Sequence, residues 1–200
     1  MLRVGIYGGA FAPIHKGHVE AAKAFLSQMW LDVLFIVPTG QSPHKEMDRS
    51  ASSFDRLEMC RLAFEGVEGV IVSDIELKRE GNSYSVDTLR AMSDSDRRLF
   101  MLCGTDMMLT LGDWNEADEI FKLSYPVYIR RENDRSLDAE IIEKNTHYFE
   151  KYGKYVIKLD APVIDISSSK IRKMIKDGED VSSYIDPRVL KYIDEKGLYR

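Results

Sequence analysis

Six short apolar runs punctuate the 200-residue chain: Leu2–Tyr7, Val33–Val37, Val70–Val72, Leu99–Cys103, Val127–Ile129 and Val156–Leu159. Their length and composition mark them as buried strands, and helical patterns fall between them. From about Gly17 to Met29, Val19, Ala22, Leu26 and Met29 recur at three- and four-residue spacing, the stripe that a helix needs to pack on a sheet. Alternation of this kind over six strands predicts an α/β fold, an open, doubly wound and mostly parallel sheet wrapped on both faces. Ligands then belong outside the carboxyl ends of the strands. The chain reads as one domain, residues 1–200, large enough to bury a core without disulfides or a structural metal. The segment from Arg130 to Tyr152 is charged and poor in periodicity, which predicts a surface excursion, with His147 in solvent. A C-terminal helical portion spans about 167–200. There Ser167, Ser168 and Ser169 precede Ile171, Met174 and Ile175 at helical spacing, and Gly178 follows as a stop, so a serine should cap this helix. A second short helix is expected from about Pro187 to Glu195.

Composition excludes several classes. A net charge of −5 argues against broad nucleic-acid binding, which would want a basic face, so an anionic ligand must meet a local positive site. No apolar run approaches the roughly 20 residues of a membrane helix, and Met1–Tyr7 enters a strand pattern with Arg3 inside it rather than a leader. Cys60 and Cys103 lie far apart in apolar surroundings without a CxxC partner, as buried thiols of a reducing compartment would. The expected address is the cytoplasm.

After the first run the chain reads Gly8-Gly9-Ala10-Phe11-Ala12-Pro13-Ile14-His15-Lys16-Gly17-His18 and then enters a helix. A glycine pair lets backbone approach a ligand closely, and the start of the following helix aims unpaired N–H groups and a positive dipole end at the same place. That is a phosphate site. With the helix beginning near Lys16, the imidazoles of His15 and His18 project from neighbouring positions towards it, and Gly17 keeps the space between them open. Neither GxGxxG nor GxxxxGK[ST] occurs, so hydride transfer and γ-phosphate chemistry lack their usual support. Taken alone, the histidine pair could merely cap a helix. A zinc site would need three or four ligands, which His44, His147 and the distant cysteines do not supply.

The string GGAFAPIHKGH resembles the GGxFxPxHxGH signature of the HxGH nucleotidyltransferase superfamily, and specifically of its nicotinate-nucleotide adenylyltransferases. Other segments are similar in the same order. Pro38–Lys45 resembles the family's strand-end loop closing in PHK or PHR, and Ser83–Leu89 its SYTxxTL segment. Gly104-Thr105-Asp106 with Trp114 resembles its G-x-D…W block, Ile166–Arg172 its ISSTxIR helix start, and Tyr192–Tyr199 its closing motif. Essentially the whole chain is covered. Ala10 and Ala12 depart from the pattern, standing where the family usually carries Thr or Ser and Asp or Asn. The resemblance implies a Rossmann-like nucleotidyltransferase fold and adenylyl transfer from ATP to nicotinate mononucleotide, with magnesium carried by the ATP phosphates.

It also distributes roles. His15 and His18 would donate to the bridging and α-phosphates, with Lys45, Lys170 and Arg172 supplying charge and His15, His18, Lys45 and Arg172 the catalytic set. ATP would lie against Gly8, Gly9, Ala10, Phe11, Gly104, Asp106 and Ile166, with its β- and γ-phosphates at the capped helix start of Ser167, Ser168, Lys170 and Arg172. The mononucleotide would meet Trp114 as an aromatic plate, backbone near Tyr84 and Ser85, and Thr88, Thr105, Asp106 and Arg130, with His44 and Lys45 near its phosphate. On residue type alone the serines could be an ordinary cap, and Trp114 part of the core. Other readings remain: a nicotinamide mononucleotide enzyme, a phosphopantetheine adenylyltransferase or cytidylyltransferase without the SYSVDTL and GTDM…W blocks, and a regulator that kept the fold and lost turnover. A homo-oligomer is compatible with any of them.

Overall fold

All six apolar runs are strands of one sheet, in the order β3-β2-β1-β4-β5-β6. The computed structural model describes residues 1–43, 48–130, 135–161 and 166–200. The strands are β1 (Leu2–Gly9), β2 (Val33–Pro38), β3 (Val70–Val72), β4 (Arg97–Gly104), β5 (Ser124–Ile129) and β6 (Ile157–Leu159), and every pairing between them is parallel. Period-two alternation sends successive side chains to opposite faces, and both faces are buried. Val4 and Ile6 of β1, with Leu99, Met101 and Cys103 of β4, enter one core; Tyr7, with Phe100 and Leu102, enters the other.

Helices cover both cores. On one face lie α1 (Lys16–Gln28), α2 (Ser53–Phe64), α7 (Ser168–Lys176) and α8 (Pro187–Lys196). On the other lie α3 (Ser85–Met92), α4 (Thr105–Thr110), α5 (Ala117–Leu123) and α6 (Asp138–Tyr152). The expected serine cap is present: the Ser167 hydroxyl accepts from the Lys170 N–H at 3.2 Å. Asp186 caps α8 from its side chain, and Gly197 ends that helix in the left-handed region at φ 62°. Ile171, Val189 and Ile193 join the same core as Phe25 and Leu34, so the C-terminal helices pack on the sheet. Cys60 and Cys103 are buried and form no disulfide with each other. Among the described residues no helix is long and apolar enough to cross a membrane.

One expectation fails. The charged stretch after β5 is not an excursion throughout: residues 138–152 form α6, which buries Ile141 and Tyr148 although His147 is exposed. The inward stripe is Ile141, Asn145, Tyr148 and Tyr152, at spacings of four, three and four. Three of its four residues are polar-tipped, so a count of apolar residues misses the period. Two of the tips are used internally: the Asn145 side chain bonds both N–H and C=O of Val156, and the Tyr148 hydroxyl donates to the Met108 carbonyl at 2.9 Å and accepts from the Gly112 N–H at 3.1 Å. Tyr148→Phe should therefore destabilise the protein by about 1–3 kcal/mol, the range for stranding buried backbone groups. The check is the urea midpoint at unchanged m-value, and an unshifted midpoint contradicts the account.

Candidate active site

The sheet reverses its winding between β1 and β4, and a cavity of about 620 Å³ opens there, beyond the carboxyl ends of both strands. Its wall contains Gly8, Gly9, Ala10, Phe11, His15, Gly17 and His18 from the segment after β1, and Gly104 and Asp106 from the end of β4. Gly8 leaves open space, since a Cβ there would come no nearer than 4.0 Å to any atom. Gly9 faces the opposite constraint: its Cβ would lie 3.0 Å from the Phe11 ring, which the left-handed Phe11 backbone, φ 47°, folds back over it.

His15 is the N-cap of α1 and His18 its third residue, so the helix start itself sets their spacing. The rings lie 3.7 Å apart between centroids, tilted by 30°, and Phe11 meets His18 edge-on at 5.1 Å. Both histidines are more than nine-tenths buried yet line the cavity. The His15 N–H donates to His18 Nδ1 at 3.3 Å, so in the neutral ring the proton sits on Nε2. Lys16 binds the C-terminal part of the chain, with its N–H on the Tyr184 carbonyl and its Nζ on the Ser183 carbonyl, both at 2.8 Å.

Distant elements grip this loop from its carbonyls. Ser168 donates its hydroxyl to Pro13 O at 2.9 Å, and Arg172 donates Nη1 to Ala12 O at 2.8 Å. Arg172 also pairs with Asp48 at 3.0 Å. Ile166, Ser167, Ser168, Lys170 and Arg172 all line the cavity, so the start of α7 faces the start of α1 across it. At the other end are Tyr84 and Ser85, where α3 begins, and half-buried Trp114.

The expected residues fall into three groups. Most converge on the one cavity, including Arg130, which bonds Asp138, and Thr88, whose hydroxyl donates to Glu76 Oε1 at 2.8 Å. Thr105 does not: it is buried, and its hydroxyl turns to the Ile129 carbonyl, tying the first residue of α4 to β5. His44 and Lys45 lie outside the described residues.

Sequence reasoning missed Asp48, Arg56 and Glu76. Asp48 and Glu76 line the cavity; Arg56 lies just behind it, donating Nη1 to Ala10 O at 2.8 Å. The signal for Arg56 was present, since it sits a turn before Cys60 on the core side of α2. Glu76 had none, because its partners Thr88, Arg79 and Ser83 come together only through the turn that follows β3. Burial raises the Glu76 pKa above its ordinary 4.5, against the opposing pull of the Thr88 hydroxyl and Arg79. A carboxyl whose folded pKa is raised contributes stability at low pH that is lost as the pH climbs from 4.5 through the folded value. Glu76→Gln lacks that titration, so its stability relative to the parent should improve between pH 4.5 and neutrality. Denaturation curves across this range test it, and a constant difference disproves the assignment.

A parallel sheet with a glycine turn and paired imidazoles at its switch point defines a nucleotidyl-transferring class of α/β protein, and residues 6–174 match the cytidylyltransferase-like family. Relatives narrow this. A probable nicotinate-nucleotide adenylyltransferase of Clostridium botulinum (strain Kyoto / Type A2) is 35% identical, covering 100% of each chain. One from Caldicellulosiruptor bescii is 34% identical, also over 100% of both. Among solved structures, the Plasmodium falciparum nicotinic acid mononucleotide adenylyltransferase complexed with NaAD superposes with a TM-score of 0.79 at 20% identity, covering 100% of this chain and 98% of the other, which bears on the fold. The chain belongs to the nicotinate-nucleotide adenylyltransferase family within the cytidylyltransferase-like group.

Proposed function

We propose that the chain transfers the adenylyl group of ATP to nicotinate mononucleotide, releasing pyrophosphate and forming nicotinate adenine dinucleotide for NAD synthesis. The carrying observation is that the starts of α1, α3 and α7 open onto one cavity together with His15 and His18. Helix starts present N–H groups and positive dipole ends to anions, and this reaction brings anionic phosphates together with a pyridine carboxylate. The clostridial and Caldicellulosiruptor relatives are named for the same activity.

An oxygen of the mononucleotide 5′-phosphate attacks the α-phosphorus of ATP; the bond from that phosphorus to the α–β bridging oxygen breaks, and its electrons leave with pyrophosphate. A phosphate monoester has its second pKa near ~6, so the nucleophile is already ionised at neutral pH and needs no general base. Alignment and charge set the barrier. His18 Nε2 and the His15 ring donate to the bridging and α-phosphate oxygens, while Lys170, Arg172 and the α7 amides hold the β- and γ-phosphates. Reaching them, the triphosphate competes with Asp48 for the Arg172 guanidinium. The start of α3 favours a carboxylate on the pyridine over a neutral amide, with Trp114 as the plate beneath the ring.

Magnesium supplies positive charge to the triphosphate oxygens. The donor set fits an ion that arrives on ATP. Three acids line the cavity, Asp48, Glu76 and Asp106; Asp48 is engaged by Arg172 and Glu76 by Thr88, and the described residues contain no group of three or more His, Cys, Asp or Glu able to hold a metal.

Incubation with ATP, magnesium and each pyridine mononucleotide should yield nicotinate adenine dinucleotide faster than the nicotinamide product; equal rates would overturn the carboxylate preference, and no dinucleotide the whole reading. His18→Ala should keep its circular dichroism and lose at least about 10²–10³-fold in kcat, as removal of a transition-state donor does. Near-normal turnover in that variant rejects the role. Chelation by EDTA should stop the reaction and added magnesium restore it; activity indifferent to chelator removes the metal from the scheme.

A further inference from the structure

Arg56 is a buried cation with no acid paired to it among the described residues. It is 2% exposed, lies in the first turns of α2, and makes no ion pair among the described residues. Its hydrogen bonds go to two backbone carbonyls, Nη1 to Ala10 O at 2.8 Å and Nη2 to Gly40 O at 3.5 Å. Burial pulls its pKa down, and the neighbouring ionisable groups are the Tyr199 hydroxyl and the Cys60 thiol, both themselves buried. Leaving a guanidinium so poorly compensated is unfavourable for folding alone, since a buried charge normally keeps a counter-charge. The two carbonyls it holds belong to the loops that leave adjacent strands, β1 and β2, at the same edge of the sheet.

Peptide geometry gives this grip a direction. Across a trans peptide the C=O and the following N–H point opposite ways. Arg56 is absent from the cavity wall whereas Ala10 and Phe11 belong to it, so the guanidinium pulls the Ala10 carbonyl backwards and turns the Phe11 N–H forwards. The second anchor continues along the other loop. Gly40 and Gln41 both donate their N–H to the Ser83 hydroxyl, at 3.1 and 3.3 Å, and the Ser83 N–H returns to Gln41 O at 2.8 Å. Ser83 immediately precedes Tyr84, the cap of α3. A single guanidinium thus bridges the triphosphate loop to the elements at the mononucleotide end.

We infer that Arg56 is a positioning residue for adenylyl transfer, fixing the Ala10–Phe11 peptide against the Gly40–Ser83 loop so that donor and acceptor phosphates meet in line. The inference rests on the function proposed above. Each nucleotide keeps its own direct contacts without Arg56, so loss of the bridge acts on alignment more than on binding. Misplacement of reacting groups by about 1 Å costs on the order of 10²-fold in rate.

The test compares Arg56→Met and Arg56→Lys with the parent in steady-state kinetics, each normalised to folded protein by thermal unfolding. Arg56→Met should lower kcat by about 10²-fold while KM for ATP and for nicotinate mononucleotide stays within about 3-fold; Arg56→Lys, which keeps the charge but offers a single donor nitrogen in place of the fork, should recover part of kcat. Parent-like kcat per folded Arg56→Met molecule overturns the inference, as does a loss confined to KM. Should Arg56→Met fail to fold, Arg56→Lys decides, because a Lys variant with parental kcat is incompatible with a two-carbonyl bridge. A parent enzyme that forms no dinucleotide would sink the functional reading instead, so the two failures are distinct.

Discussion

Every strand of the sheet runs in the same direction, and the rest of the molecule follows from that. In a parallel sheet each helix that follows a strand begins at the carboxyl edge, so α1 after β1, α3 after β3 and α7 after β6 all start on one side. Their unpaired amides and positive dipole ends therefore accumulate in one region of a chain whose net charge is −5. The reversal of winding between β1 and β4 parts the loops there and leaves room for a ligand. An anion site on an acidic protein needs no basic surface when backbone dipoles are aligned in this way.

The loop after β1 is held in shape by its carbonyls more than by its side chains. Arg56 takes Ala10 O, Arg172 takes Ala12 O, Ser168 takes Pro13 O, and the Thr39 N–H takes Gly9 O. This explains how alanine is accommodated at positions 10 and 12, where the resemblance implied polar residues. The bonds made there are main-chain bonds, indifferent to the side chain, and Ala12 is buried where a small apolar group fits. The departure from the family pattern is thus no sign of a dismantled site. The grip on the loop after β1 comes from α2 and α7, which are far from it in sequence, so both helices are part of the cavity's construction.

Polar groups buried around the cavity follow one pattern. Glu76, Arg79, Thr88 and Ser83 bond one another beneath the start of α3, and Tyr148 reaches from α6 to the backbone of residues 108–112 beside Trp114. Burying such groups is unfavourable unless their bonds are made, and once made they orient what they touch. Both clusters lie under segments that line the cavity. Rigid support beneath a binding surface reduces the ordering that binding itself would otherwise require.

The strands, the sheet class, the first helix, the serine cap of α7 and the histidine pair were all legible in the sequence, because each is a local matter. A run of apolar residues, a hydroxyl three residues before an amide, or a glycine turn ahead of a helix has the same physical consequence wherever the chain goes next. Helix α6 was not legible, because Asn145 and Tyr148 bury polar tips whose partners lie elsewhere, and a periodicity count scores them as surface. Thr105 looked like a ligand contact until the packing of α4 on β5 turned it inwards. Arg56 and Glu76 could be named as residues but given no role, since a buried charge takes its meaning from the groups that surround it. The sequence alone determined the strands, the sheet class and the glycine turn ahead of the first helix; the tertiary structure decided which distant side chains hold that turn, because hydrogen bonds across 46 or 160 residues leave no trace in local spacing.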